Sequence, residues 1–161
     1  MTGLCRAILL LIWLVMGGPA LADPRLSSAG AVAELTIRIQ NVSPRGGILR
    51  LSVYDKAHYS DNNSKPVASA DVNAIAGETT ITLHGIDPGS YAIETYQDIN
   101  ANGKMDTNWA GLPKEPFGFS RDARPRLLSK PSFETVKITL TTGKNTQSIH
   151  LQNSVPMTGR N

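Results

Sequence analysis

Nine consecutive residues carry the clearest chemical pattern in the chain. Asp98-Ile99-Asn100-Ala101-Asn102-Gly103-Lys104-Met105-Asp106 reads D-x-N-x-N-G-x-x-D. Calcium takes roughly six to eight oxygen ligands, and short Asp and Asn side chains at alternate positions bring such oxygens to one point. Gly103, sixth in the run, permits the sharp turn that this geometry needs. Lys104, seventh, would offer its backbone carbonyl and turn its ammonium away. Asp106, ninth, would ligate directly or through water. The expected metal set is therefore Asp98, Asn100, Asn102, Lys104 and Asp106, closed by one more carboxylate. The pattern departs at the twelfth position, where Trp109 stands in place of a bidentate Glu. Glu115 or Asp122 would have to supply that ligand from farther along. With few negative charges in the run, the expected affinity is weak, on the order of 10⁻⁴–10⁻³ M. The competing reading is an Asx-rich turn that satisfies its own backbone and needs no metal.

Three aromatic residues follow the run: Trp109, Phe117 and Phe119. Aromatic faces beside a calcium loop could form a sugar-stacking platform. They could equally pin a long loop onto the body of the domain by burying their area, which is what aromatic side chains most often do. Arg121, Arg124, Arg126 and Lys130, set against Asp122, make a basic cluster that could meet phosphate groups of an envelope polymer or simply be solvated. His58, His84 and His150 are isolated, with no spacing that suits zinc. No G-x-S-x-G elbow is present. The chemistry at hand is metal and ligand binding, and catalysis is not expected.

The elements that must position these residues begin after a secretory signal. Arg6 gives a short positive start, Ala7 to Met16 is apolar, and Ala20-Leu21-Ala22 ends the segment with small residues. The apolar run is about half of what a spanning helix needs. Residues 1–22 are therefore expected to be removed, and the chain to be exported to the periplasm or beyond. The whole chain has 161 residues, 16 Lys+Arg, 13 Asp+Glu, one Cys and charge +3. Taking away 22 residues, with Arg6 and Cys5 among them, leaves 139, a charge of +2 and no cysteine. A chain of that size without disulfides must be held by its core, which a bound metal could help. The small net charge gives no case for nucleic acid.

Residues 23–32 read as a flexible leader, 33–153 as one domain and 154–161 as a frayed tail. Within the domain the hydrophobic period is two. Strands are expected over 34–40, 49–53, 67–74, 78–84, 91–97, 133–141 and 146–152. Between the fifth and sixth lies one long loop, about 98–132, punctuated by Gly103, Gly111, Pro113, Pro116, Gly118, Pro125 and Pro131. Loops of such length are uncommon in compact domains and are usually functional. About seven short alternating strands with frequent turns predict an all-β, antiparallel two-sheet sandwich.

Successive motifs also carry a resemblance. Asp87-Pro88-Gly89-Ser90-Tyr91, the run Gln97 to Asn108, Gly111-Leu112-Pro113-Lys114-Glu115, Phe117-Gly118-Phe119-Ser120 and Pro131-Ser132-Phe133 occur in order. Together they resemble the bacterial exported family catalogued as domain of unknown function 2141. That resemblance implies an extracytoplasmic β-sandwich similar to prealbumin-like and carboxypeptidase-regulatory-like modules, and no established activity. The expected function is an exported, non-enzymatic β-sandwich module with a calcium loop, contacting a cell-envelope component, glycan or protein. The alternative is a carbohydrate-binding module that uses the loop aromatics.

Overall fold

The structure, a computed structural model, describes residues 31–61, 63–126 and 129–153. The expected signal segment with Cys5, nearly all of the leader, and the tail at 154–161 lie outside the described residues. Among the described residues eight strands form two sheets. The first sheet has the order β4-β1-β8, from Gly77–Ile86, Ala33–Val42 and Gly143–His150. The second has the order β3-β2-β5-β6, from Ala68–Asn73, Ile48–Tyr54, Gly89–Asp98 and Phe117–Phe119, and β7 (Ile138–Leu140) pairs with the start of β5.

Alternation explains the sandwich. Leu35, Ile37 and Ile39 of β1 face Leu49, Leu51 and Val53 of β2 across the gap, joined by Ile81, Ile93, Leu140 and Ile149. Each lies at a position of one parity, so every strand gives one face to a shared core. The opposite face of β2 carries Arg50, Ser52 and Tyr54, and the matching face of β5 carries Glu94, Tyr96 and Asp98. In register, Arg50 lies beside Tyr96 and Ser52 beside Glu94. That outer face becomes the floor of the site.

Three expectations are corrected. The sandwich is not wholly antiparallel, because β8 runs parallel to β1 from Ala33↔Gly143 to Gln40↔His150. The long loop is not continuous, because Phe117–Phe119 adds a short strand to β5. The strand expected from residue 133 starts only at Ile138. Phe133–Val136 is instead one helical turn, α2, which buries Phe133 and Val136 together. An i, i+3 pair lies on one side of a helix, so the same two apolar residues satisfy the turn. A matching turn, α1, spans Lys56–Tyr59 and is capped by Asp55, whose carboxylate accepts from the His58 N–H at 2.8 Å.

Ser120 closes the gap between β6 and β7 on the edge of β5. Its hydroxyl accepts from Ile93 N at 3.0 Å and donates to Val136 O at 2.6 Å, wholly buried. It thereby supplies the ladder hydrogen bond that neither short strand reaches. Among the described residues no helix is long and apolar enough to cross a membrane.

Candidate functional site

The end of β5 places two buried polar side chains on opposite faces. Gln97 points inward and Asp98 outward, and both are fully buried. Gln97 grips the turn between β1 and β2. Its amide donates to Ser43 O at 2.9 Å and Gly46 O at 2.7 Å, and its carbonyl accepts from Ser43 N at 2.8 Å. Asp98 organises the loop that follows. Its Oδ2 accepts from Arg50 Nε and Gly103 N, both at 2.8 Å, and its Oδ1 from Asn102 N at 3.0 Å. Burial pushes the Asp98 carboxyl up. The Arg50 hydrogen bond and the two N–H groups outweigh that and hold it below the usual carboxylate range. Arg50 also pairs with the exposed Asp71, and these contacts raise its own pKa further.

The rest of the run folds as alternate Asx turns. Asn102 N donates to Asn100 Oδ1 at 3.2 Å and Lys104 N to Asn102 Oδ1 at 3.0 Å. Each short side chain thus bonds the backbone two residues on. Ala101 takes a left-handed φ of 55°, a conformation that costs a residue with a Cβ about 1 kcal/mol and that the flanking hydrogen bonds impose. Asp106 closes the ring, with Oδ2 accepting from Asn100 Nδ2 at 2.8 Å and Oδ1 from Asn102 Nδ2 at 3.0 Å. The spacing brings Asp98, Asn100, Asn102 and Asp106 into one hydrogen-bonded group.

Glu115 joins this group and Asp122 does not. Glu115 is almost fully buried. Its Oε1 accepts from Ile99 N at 2.8 Å and its Oε2 from Asp106 N at 3.0 Å, so one carboxylate clasps both ends of the run. Asp122 bonds His150 instead, at 2.8 Å to its N–H and 2.8 Å to Nδ1. Lys104 is exposed, and its backbone N–H donates to Asn102 Oδ1. Among the described residues no three His, Cys, Asp or Glu side chains converge as a metal group. The oxygens on offer are a mixture of carboxylate, amide and backbone.

Trp109 does not pin the loop. It is 98% exposed, at the apex of a hairpin closed by the Thr107↔Pro113 bridge. Asn108 ties that hairpin: its Oδ1 accepts from Ala110 N at 2.9 Å and Leu112 N at 3.0 Å, beside the backbone bonds from Asn108 N to Leu112 O at 2.9 Å and from Lys114 N to Asp106 O at 2.8 Å. The side-chain amide does the work for which an aromatic anchor would be needed. Phe117 and Phe119 are packed, with ring centroids 6.1 Å apart and edge to face.

Those two phenylalanines belong to a cleft of about 620 Å³ on the outer face of the second sheet. Tyr54, Tyr96, Phe117 and Phe119 line its floor. The hairpin supplies one wall through Met105, Leu112 and Pro113, and residues Pro125, Arg126, Ser129 and Lys130 supply the other. Lys130 Nζ is 3.1 Å from Glu94 Oε1 and 4.1 Å from the ring centre of Tyr59, so a carboxylate and an aromatic face hold it in place. Burial raises the Tyr96 phenol, with Arg50 pulling the other way. The alternating outward residues of β2 and β5 were legible in the sequence, but nothing there indicated that two walls would rise over them.

No curated protein and no solved structure matches the chain. A family model does match, over residues 37–148, which takes in six of the eight strands whole, the greater part of β1 and β8, the loop and the cleft. The chain belongs to the family described as an uncharacterized protein conserved in bacteria, DUF2141.

Proposed function

We propose that this is an exported, non-enzymatic β-sandwich module, prealbumin-like in build, whose Asp98–Asp106 loop binds calcium weakly. With the loop ordered, the outer face of the second sheet contacts a cell-envelope component. One observation carries the metal reading. Asp98 and Asp106 are joined through Asn100 and Asn102, Glu115 holds the backbone at both ends of the run, and among the described residues the one ion pair on these carboxylates is that of Arg50 with Asp98. Glu115 is buried, holds two backbone N–H groups, and is in no ion pair among the described residues. Buried carboxylates are stable when paired or ligating. Each carboxylate or amide oxygen has two lone pairs, and Asn100 Oδ1, Asn102 Oδ1 and Asp98 Oδ1 each spend one on the loop backbone. Bound calcium would supply fixed positive charge to this group and so stiffen the loop. Asp98, Asn100, Asn102, the Lys104 carbonyl, Asp106 and Glu115 would hold it.

Export is supported by the pattern over residues 1–22. The non-enzymatic reading is supported by how the reactive groups are used. Ser120 is spent on backbone, and the His58, His84 and His150 rings face Asp55, Glu34 and Asp122.

Calcium at about 10 mM should stabilise the fold by about 1–3 kcal/mol if the affinity is on the order of 10⁻⁴–10⁻³ M. That raises the melting temperature by roughly 5–10 °C for a domain of this size. EDTA should reverse the rise, magnesium should not reproduce it, and Asp106→Ala, altering a half-exposed carboxylate, should abolish it. Scanning calorimetry that finds no calcium-dependent rise in the unsubstituted protein defeats the metal reading.

Trp109 favours a second reading as a carbohydrate-binding module. A tryptophan that is 98% exposed on a locked hairpin is presented to a partner at little ordering cost. Phe117 and Phe119 would contribute from the cleft. A glycan array should then show binding that disappears in Trp109→Ala, and a blank array counts against this reading.

A further inference from the structure

We infer that the cleft over the second sheet is a binding site for a single-chain anionic amphiphile: an apolar tail with one carboxylate, sulfate or phosphate head. Its volume of about 620 Å³ lies within the range of roughly 300–1,000 Å³ typical of small-molecule sites. The floor is unusual for the outer face of a sheet. Such faces are ordinarily solvated and polar, yet here Tyr96, Phe117 and Phe119 lie side by side across β5 and β6. Opposite them stand Met105, Leu112 and Pro113. Methionine is flexible and polarisable, so Met105 suits a wall that adapts to a chain.

Charge selects the head group. Three cations line the cleft. Lys130 is matched by Glu94, and Arg50 by Asp98 and Asp71. Arg126 has no acidic partner among the described residues. One uncompensated guanidinium at the rim of an apolar cleft fits one anionic group with an apolar body behind it. A guanidinium binds carboxylate, sulfate and phosphate alike, because its forked N–H groups match their paired oxygens.

The site can be tested apart from the calcium reading, because Tyr96, Phe117 and Arg126 lie outside the Asp98–Asp106 run and of the named lining residues Met105 alone lies within it. The test is therefore made in EDTA. Dodecyl sulfate, dodecyltrimethylammonium and dodecyl maltoside are titrated calorimetrically at concentrations well below micelle formation. Dodecyl sulfate should bind at one site, at least about tenfold tighter than the cationic and neutral probes, since a charge-assisted contact is worth that much. Arg126→Glu should reverse the order of the two charged probes. Ser52→Trp, which fills the floor from a half-exposed position, should abolish binding with an unchanged circular dichroism spectrum. The inference falls if none of the probes binds, if head group makes no difference, or if Ser52→Trp binds as before. It also falls if the protein associates only with phosphatidylglycerol vesicles, because that outcome assigns the basic rim to a membrane surface.

Discussion

Asp98→Ala will cost the domain about 3–5 kcal/mol, the largest loss expected of any single side chain in the loop. Asp98 is wholly buried, and three donors converge on it: Arg50 Nε, Gly103 N and Asn102 N. Truncation removes the acceptor and leaves the donors in place. Gly103 N loses its partner, Asn102 N keeps only the longer bond to Asn100 Oδ1, and the guanidinium keeps only the exposed Asp71. Arg50, a quarter exposed, loses a charge-assisted hydrogen bond, and each donor left without its acceptor adds a penalty of its own. Urea denaturation of the purified domain in EDTA is the measurement, which removes any calcium contribution. Asp98→Asn should recover part of the loss, since it keeps an oxygen for one N–H while giving up the charge that Arg50 faces. A loss below about 1 kcal/mol for Asp98→Ala would mean that the loop is not anchored at this carboxylate.

The prominence of Asp98 was only half visible in the sequence. Its place at the head of D-x-N-x-N-G-x-x-D was plain, and the alternate Asx turns formed as that spacing requires. Arg50 was not visible as its partner. Alternation put Arg50 on the outer face of β2, but the 48 residues between it and Asp98 carry no signal of their pairing. Glu115 was one of two candidates to close the loop, and only the three-dimensional path, with β6 returning along β5, selects it over Asp122. Gln97 could have been found. It shares parity with Tyr91, Ile93 and Thr95, so a polar residue was due on the core face at the strand's end.

The strands themselves were legible for the same reason that their pairing was not. Period two reports which face a residue takes and is blind to the direction of the neighbour. The parallel β1–β8 pair was therefore beyond it. Phe117–Phe119 is too short to show a period at all, and it sits among prolines and glycines that read as loop. Trp109 shows the opposite failure. Its type suggested an anchor, but the hairpin is closed by its own backbone bonds together with the side chain of Asn108, and the indole is left to face solvent.

Gly47→Ala will destabilise the fold by about 2–4 kcal/mol, whereas Gly46→Ala beside it will cost only about 1 kcal/mol. Both glycines take positive φ, 74° at Gly46 and 91° at Gly47, so each substitution carries the strain of an L-residue in a region it disfavours. What separates them is space. A Cβ on Gly46 meets nothing within 4 Å, while one on Gly47 would stand 2.2 Å from Asp98 O and 2.7 Å from Ile99 Cα. Those are backbone atoms, and they are fixed from both sides. Asp98 is buried under Arg50, and Ile99 N is held by Glu115. The clash must therefore be relieved by moving the root of the loop, at the overpacking cost of roughly 1–3 kcal/mol or more on top of the strain. The displacement should be read at the loop itself: amide exchange at Asn102 and Gly103, which donate to Asp98, should quicken in Gly47→Ala and stay slow in Gly46→Ala. Equal stability losses at the two positions would show that the close approach of the β1–β2 turn does not support the loop.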